Sequence, residues 1–314
     1  MLFACNPIAV RREVMAQAVR DKGPMATIET SHDEAGLMPP PAVPYFFHRH
    51  ALAVRVTHWI NAVAIVFLLM TGFNIFNAYP MLHWGQYGAS PDAAHAWLQI
   101  GSTGGREPKG FVRIGDVEVT TTGVLGQSVG KAGAAQAIAY PHWVTFPGYR
   151  DLATARNFHF FFAWVLVING LAYLIYSFAS GHVRRDLLPT AAELAPGNIA
   201  HDVVSHARLQ FPKGESAKRY HILQKLAYGG VIFLAVPGII FTGLGMSPGL
   251  NAAWPVLLDL SGGRASARSL HWIFANLILL FIAVHLLMVL LAGPWNEVRS
   301  MITGKFRVDP EPLA

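Results

Sequence analysis

Fourteen histidines stand against eighteen carboxylates in this 314-residue chain, and there is one cysteine, Cys5. A single thiol excludes a disulfide framework, a cysteine-based zinc site and an iron–sulfur cluster held within the chain, so any metal chemistry has to run on nitrogen. Four of the histidines, His58, His159, His271 and His285, fall within or at the edge of long apolar cores. Ionisable groups in such surroundings are costly and point to function. His271 and His285 are fourteen residues apart. At about 100° per helical residue they lie about 40° short of four full turns, on one face, and about 21 Å apart along the axis. Two histidines so placed cannot share one metal, and each can serve a site of its own. Arg55, Arg156 and Arg268 each precede one of the four by three residues. That spacing puts a guanidinium on the histidine's own helix face, one turn nearer the N-terminal end.

The elements that must position these residues follow from where charge is missing. The chain is 53% hydrophobic and 13% charged, against about 25% charged residues in soluble domains. This composition excludes a disordered chain, argues against an ordinary cytosolic enzyme, and points to an integral membrane protein. The charge-free gaps are Val56–Pro91, Asn157–Val183, Leu226–Leu258 and Ser269–Asn296, of 36, 27, 33 and 28 residues. Each holds an apolar core long enough to cross a bilayer, which takes about 20 residues: Trp59–Phe76, Phe160–Phe178, Leu226–Met246 and Trp272–Ala292. The expected fold is therefore an all-α integral membrane bundle of four transmembrane helices. Sixteen Lys and Arg lie on the side of the N-terminus and eight on the other. The positive-inside rule puts both termini in the cytoplasm, and in a bacterium the host bilayer is the inner membrane.

Orientation assigns depth, and depth assigns partners. The first helix runs outward, so His58 lies near the cytoplasmic face; the second and fourth run inward, so His159 and His271 lie near the outer face and His285 near the inner one. The depth-matched pairs are His58 with His285 and His159 with His271. Two bis-histidine sites stacked across the membrane suit two haem b groups, whose irons take axial imidazoles on opposite ring faces without covalent cysteine attachment. Haem propionates would then turn toward the membrane surfaces, where Arg55, Arg156 and Arg268 can meet them as bidentate forks. Ordinary anchoring at the membrane edge is the other reading of these arginines. At the cytoplasmic start of the third helix, His221, Gln224 and Lys225 form a donor-rich end beside the inner pair. They suggest a pocket for a quinone head group, ubiquinone or menaquinone, with interfacial anchoring as the alternative. Pro237 is expected to kink this helix. Gly72, Gly170, Gly229 and Gly230 could admit close approach of helices or porphyrin.

Outside the spans, residues 1–45 read as a disordered cytoplasmic tail. Leu2-Phe3-Ala4-Cys5 superficially resembles a lipoprotein cleavage box but lacks a basic and apolar signal before it, and Met25 is an alternative start. The long outer loop, about residues 78–155, holds an alternating stretch around Gly115-Asp116 that predicts a hairpin. His83, His95 and His142 in that loop, and His201 and His206 in the cytoplasmic loop at about 182–220, are expected to face solvent or bond locally. After Gly293-Pro294 a short interfacial segment follows, and residues 307–314 form a second tail.

Arg55-Val-Thr-His-Trp, Arg156-Asn-Phe-His with Ala163-Trp164, and Arg268-Ser-Leu-His with His285 resemble the di-haem b-type cytochrome subunits of nickel–iron hydrogenases, formate dehydrogenases and thiosulfate reductases. Phe241-Thr-Gly-Leu-Gly-Met-Ser-Pro and Arg299-Ser-Met-Ile-Thr-Gly add to the likeness, which covers roughly residues 46–306. The resemblance implies a transmembrane core with His58, His159, His271 and His285 as axial ligands, quinone exchange on the cytoplasmic side, and a catalytic subunit docked at the periplasmic face. The first loop is longer than in the shorter members, which argues against a hydrogenase or formate dehydrogenase and favours another periplasmic oxidoreductase of the molybdopterin type as that partner. Such a chain is an electron-transfer subunit of a respiratory complex, not a self-sufficient enzyme. Two further readings are a self-contained cytochrome oxidising a small periplasmic donor and, outside redox chemistry, a histidine-dependent metal or proton transporter.

Overall fold

The computed structural model describes residues 43–86, 95–105, 107–129, 133–208 and 220–309; the tail expected over residues 1–45 lies outside them as far as residue 42. Four helices are long and apolar enough to cross a membrane: α1 Leu52–Phe76, α2 Leu152–Ala179, a composite third span Ile222–Met246, and a fourth, Arg264–Ala292. Each ends within a residue of the apolar core read from the sequence, but each begins four to eight residues before it. The added turn carries the Arg-x-x-His motif in the first, second and fourth spans, because a helix can begin in the polar boundary before it enters lipid. At the start of α2 the Asp151 carboxylate accepts a hydrogen bond from the Thr154 amide at 3.0 Å. This N-cap satisfies one of the first free N–H groups and holds the Asp151 carboxyl below its usual range.

Between α2 and the third span lies a cytoplasmic helix, α3, Pro196–Ala207. The third span, α4, is not uniform: α-helix over Ile222–Gly230, a π-helical turn over Val231–Ala235, then α-helix over Val236–Met246. Pro237 explains the break, since its ring clashes with the carbonyl four residues back and it offers no N–H. The fourth span is α5. It starts from Gly263 at φ +98°, where a Cβ would lie 2.5 Å from the Gln86 Cα and 2.7 Å from the Gly85 carbonyl oxygen. Only glycine lets the outer loop pass this close to the head of the helix. The expected interfacial segment is helix α6, Pro294–Thr303, with Trp295 89% exposed.

Burial within the spans is inside out relative to a soluble bundle. Thr71, Ser177 and Ser269 are fully buried, whereas Ile175 is 70% exposed. In lipid, apolar side chains lose nothing by facing outward, and small or hydroxylated residues let helices approach and bond. Asn169 illustrates this, donating to the Thr57 carbonyl at 2.8 Å and to Asn61 Oδ1 at 2.7 Å, which ties α2 to α1 in mid-membrane.

Strands close both ends. β1, Tyr45–His48, pairs antiparallel with a strand near the C-terminus, Lys305–Val308, from Tyr45 opposite Val308 to His48 opposite Lys305. Residue 45 and residues 307–308, assigned to tails by the sequence reading, thus belong to the folded part, and an even number of spans brings both ends to the cytoplasmic side. The outer loop is a folded cap. A four-stranded antiparallel sheet runs β2 Met81–Leu82, β3 Leu98–Ser102, β4 Gly110–Ile114 and β5 Val117–Thr120, with Gly115-Asp116 turning the expected hairpin, followed by a small hairpin of Gln127–Val129 and Ala135–Ala137. The cap has its own apolar core of Leu82, Leu98, Ile100, Ala139 and Tyr140, built onto Phe76 at the end of α1 and against Trp272 of α5.

Candidate haem-binding site

The four histidines of the sequence analysis meet in two pairs. His159 of α2 and His271 of α5 have ring centres 6.2 Å apart and tilted by 57°; His58 of α1 and His285 of α5 are 6.5 Å apart and tilted by 58°. An imidazole–metal bond of about 2 Å on each side of a porphyrin, with each ring centre about 1 Å behind its nitrogen, puts coaxial ring centres about 6 Å apart. The spacing is too wide for the rings of a pair to bond one another and suits an iron between them. Among the described residues no three His, Cys, Asp or Glu side chains converge as a bare metal-ion site would need, so a donor set of two imidazoles fits a porphyrin, which supplies the other four ligands itself.

Two threonines bond the outer pair, and the sequence reading missed both. Thr71 Oγ1 lies 3.0 Å from His159 Nδ1, and Thr242 Oγ1 lies 3.1 Å from His271 Nδ1. Each hydroxyl also donates back along its own helix, Thr71 to the Phe67 carbonyl at 2.6 Å and Thr242 to the Gly238 carbonyl at 2.8 Å. A visible signal did exist: both threonines are followed by glycine, Thr71-Gly72 and Thr242-Gly243. A Cβ on Gly72 would sit 3.6 Å from His159 Cε1, and one on Gly243 3.2 Å from His271 Cε1. The glycines leave room for the rings that the threonines hold.

Around the inner pair the polar groups are less satisfied. Among the described residues, His58 Nδ1 and Arg55 Nε are buried without a hydrogen-bond partner. The unpaired Arg55 N–H, one helical turn from His58, suits a carboxylate-bearing cofactor. Of the three arginines, Arg55 also donates through Nη1 to the Ile302 carbonyl, Arg268 donates to the Met81 carbonyl at 2.9 Å and to the Tyr79 carbonyl, and Arg156 lies over the Phe160 ring at 5.8 Å. Arg268 is thus spent largely on the cap, while Arg55 and Arg156 keep donors for an anion.

The cap is fastened directly above the outer pair. Trp97 Nε1 donates to Ser269 Oγ at 2.9 Å, Ser269 donates to the His83 carbonyl at 2.6 Å, and the Gly85 amide donates to Ser266 Oγ at 2.8 Å. His83 is consequently buried, not solvent-facing, because its backbone is drawn onto α5. Asn77 and the Tyr140 backbone exchange two hydrogen bonds at 3.0 and 2.7 Å. Burial against this core raises the Tyr140 hydroxyl above its ordinary pKa.

At the cytoplasmic end a cleft of about 230 Å³ is lined by Glu193, Asn198, His201, Asp202, Tyr220, His221 and Ile222. Of the three residues considered for quinone, His221 lies in its wall, with Nδ1 3.0 Å from buried Asp202 Oδ1. Gln224 is turned to helix capping, accepting from the His221 amide at 3.1 Å. Lys225 is buried in an ion pair with Glu193 at 2.8 Å, and its hydrogen bonds hold the Glu193 carboxyl below the usual range. Asp202 and Tyr220 are cleft residues that sequence reasoning missed, since α3 and the start of α4 meet only in three dimensions. A series of rings joins the cleft to the inner pair: Tyr220 to Tyr228 at 5.6 Å, Tyr228 to Phe281 at 6.1 Å, and Phe281 stacked on His285 at 5.6 Å.

Four membrane-crossing helices with facing imidazoles define the class, a membrane-spanning b-type cytochrome. The chain belongs to the prokaryotic cytochrome b561 family, whose model matches residues 49–304. It is accordingly a multi-pass protein of the bacterial inner membrane that binds haem b and serves electron transport. It is 26% identical over 258 residues to a protein of Azospira oryzae named as a candidate protein-methionine-sulfoxide reductase subunit, YedZ1, a match covering 81% of this chain and 96% of that one. No solved structure matches.

Proposed function

We propose that the chain carries two haem b groups, an outer one between His159 and His271 and an inner one between His58 and His285, and moves electrons between the quinone pool and an oxidoreductase subunit docked on the periplasmic cap. The single observation that carries this reading is the pair of imidazole spacings, 6.5 Å near the cytoplasmic face and 6.2 Å near the outer face. Bound haem b supplies one-electron redox chemistry at the two depths. The chain does the rest: its histidines set the depths, Arg55 and Arg156 offer donors to propionates, and the cap walls off the outer pair from bulk water.

The kinship with a named reductase subunit supports a direction and a partner. Quinol oxidised at the cytoplasmic cleft yields quinone, two protons and two electrons. A periplasmic partner, of the molybdopterin type on the family resemblance, would use two electrons and two protons to reduce a protein methionine sulfoxide to methionine and water. His221 and Asp202 are placed to receive protons from a quinol hydroxyl.

A pyridine haemochrome assay on the purified chain tests the core of this reading, with about two b haems per chain expected. His285→Ala should remove one haem and stop quinol-driven reduction while the outer haem stays. Full occupancy of both in that variant would refute the pairing, and co-purification with a cofactor-bearing periplasmic subunit tests the partner.

A further inference from the structure

The hydroxyls of Thr71 and Thr242 decide a proton position that no distance alone shows. Each has one hydrogen to donate. A carbonyl oxygen only accepts, so the contacts of 2.6 Å from Thr71 to the Phe67 carbonyl and of 2.8 Å from Thr242 to the Gly238 carbonyl must use that hydrogen. The same hydroxyls lie 3.0 and 3.1 Å from His159 Nδ1 and His271 Nδ1, where only an oxygen lone pair is left to offer. With the hydroxyl hydrogen used in this way, each neutral imidazole would carry its proton on Nδ1 and leave Nε2 bare. A β-branched side chain back-bonded to its own helix has little rotational freedom, so the acceptor is fixed as well as oriented. His58 of the inner pair lacks this device, as its Nδ1 has no hydrogen-bond partner among the described residues.

We propose that Thr71 and Thr242, the latter with Gly243 that follows it, are positioning residues for the outer haem: they fix Nε2 of His159 and His271 as the ligating nitrogen and tune the centre's potential. This rests on the proposed assignment of those histidines as axial ligands. An Nδ1–H that donates to an oxygen makes the imidazole more basic and a better donor to the higher oxidation state. Two such bonds on one centre favour ferric iron and lower its midpoint potential relative to the same centre without them. Gly243 contributes by space, since a Cβ there would press His271 Cε1 at 3.2 Å.

The test uses the full chain in detergent or native membranes, with optical redox titration and low-temperature EPR of Thr71→Val, Thr242→Val and the corresponding serine variants. Valine keeps the shape and removes the acceptor. Each valine variant should retain the outer haem but shift its reduced-to-oxidised ratio at a given ambient potential by about threefold to tenfold toward the reduced form, where tenfold is about 59 mV for one electron. The low-spin ferric EPR signal of the outer centre should move with it, the inner centre should not respond, and serine should restore the parent values. Unchanged outer potential and EPR signal in both valine variants would overturn the inference, as would loss of the centre in the valine and serine variants alike. His159→Ala and His271→Ala separate the two levels. If they remove the outer haem while the threonine variants are silent, the ligand assignment stands and the positioning role falls. Retention of both haems in the histidine variants would overturn the ligand assignment itself.

Discussion

The outer and inner histidine pairs have nearly the same ring spacing and tilt, 6.2 Å and 57° against 6.5 Å and 58°, but they are held very differently. The outer rings are each bonded by a back-bonded threonine and lie under a cap fastened to α5 through Ser266 and Ser269. Among the described residues, the inner pair has an unpartnered Nδ1 on His58, an unpartnered Nε on Arg55, and a row of rings leading to an open cytoplasmic cleft. One site is held in a fixed geometry beneath the cap. The other leaves groups for a cofactor to satisfy and borders a space that a small diffusing molecule can enter. Under the proposed function, the contrast sets rigidity toward a protein partner against openness to quinone.

The strongest way to break this comparison is to delete ligands one at a time. His159→Ala or His271→Ala should leave one haem per chain with the inner spectrum, and His58→Ala or His285→Ala should leave one with the outer spectrum. Loss of both haems from every single variant would show that the two pairs are not independent sites. The next effect concerns the cleft. Asp202→Asn should slow quinol-driven reduction by about tenfold or more, with chemical reduction by dithionite unaltered; equal slowing of both would remove the cleft from the quinone pathway. A smaller effect separates the two glycines. Gly243→Ala should perturb the outer haem's spectrum and potential, because its Cβ would lie 3.2 Å from His271, whereas Gly72→Ala, at 3.6 Å, should be near neutral. Comparable shifts from both would mean that ring clearance is not what these glycines provide.

The smallest effect is a pH dependence at the cytoplasmic end. Burial, and after it the neighbouring Arg49 charge, lowers the His50 pKa from 6.5 to about 4. The titratable groups facing it include His48, His58 and His182, beside the Arg49 guanidinium. Because the folded state holds His50 neutral, its contribution to stability is intact above pH 6.5 and is lost as the pH falls toward 4. Thermal unfolding in detergent should show the midpoint dropping by about a few degrees between pH 7 and pH 5, and His50→Gln should flatten that drop.

Much of this was legible in one dimension. The charge gaps located all four spans, the arginine and lysine bias oriented them, and the fourteen-residue interval put His271 and His285 on one face of one helix. Gly115-Asp116 announced its hairpin and Pro237 the break in the third span. These are local properties, set by helical rise, by the backbone dihedrals a residue permits, and by the lack of water in a bilayer. The fates of Gln224 and Lys225 were not legible, since a donor-rich helix start reads the same whether its groups face a ligand or a neighbouring helix.

Sequence by itself thus determined depth, direction and the residue types available at each depth. Tertiary structure decided which side chains meet. Thr71 reaches a histidine 88 residues away and Thr242 one 29 residues away, and those contacts depend on how each helix is rotated about its axis and how closely it packs on the next. Hydropathy says little about that rotation when lipid accepts every apolar face equally; the buried hydroxyls and the small residues beside them settle it.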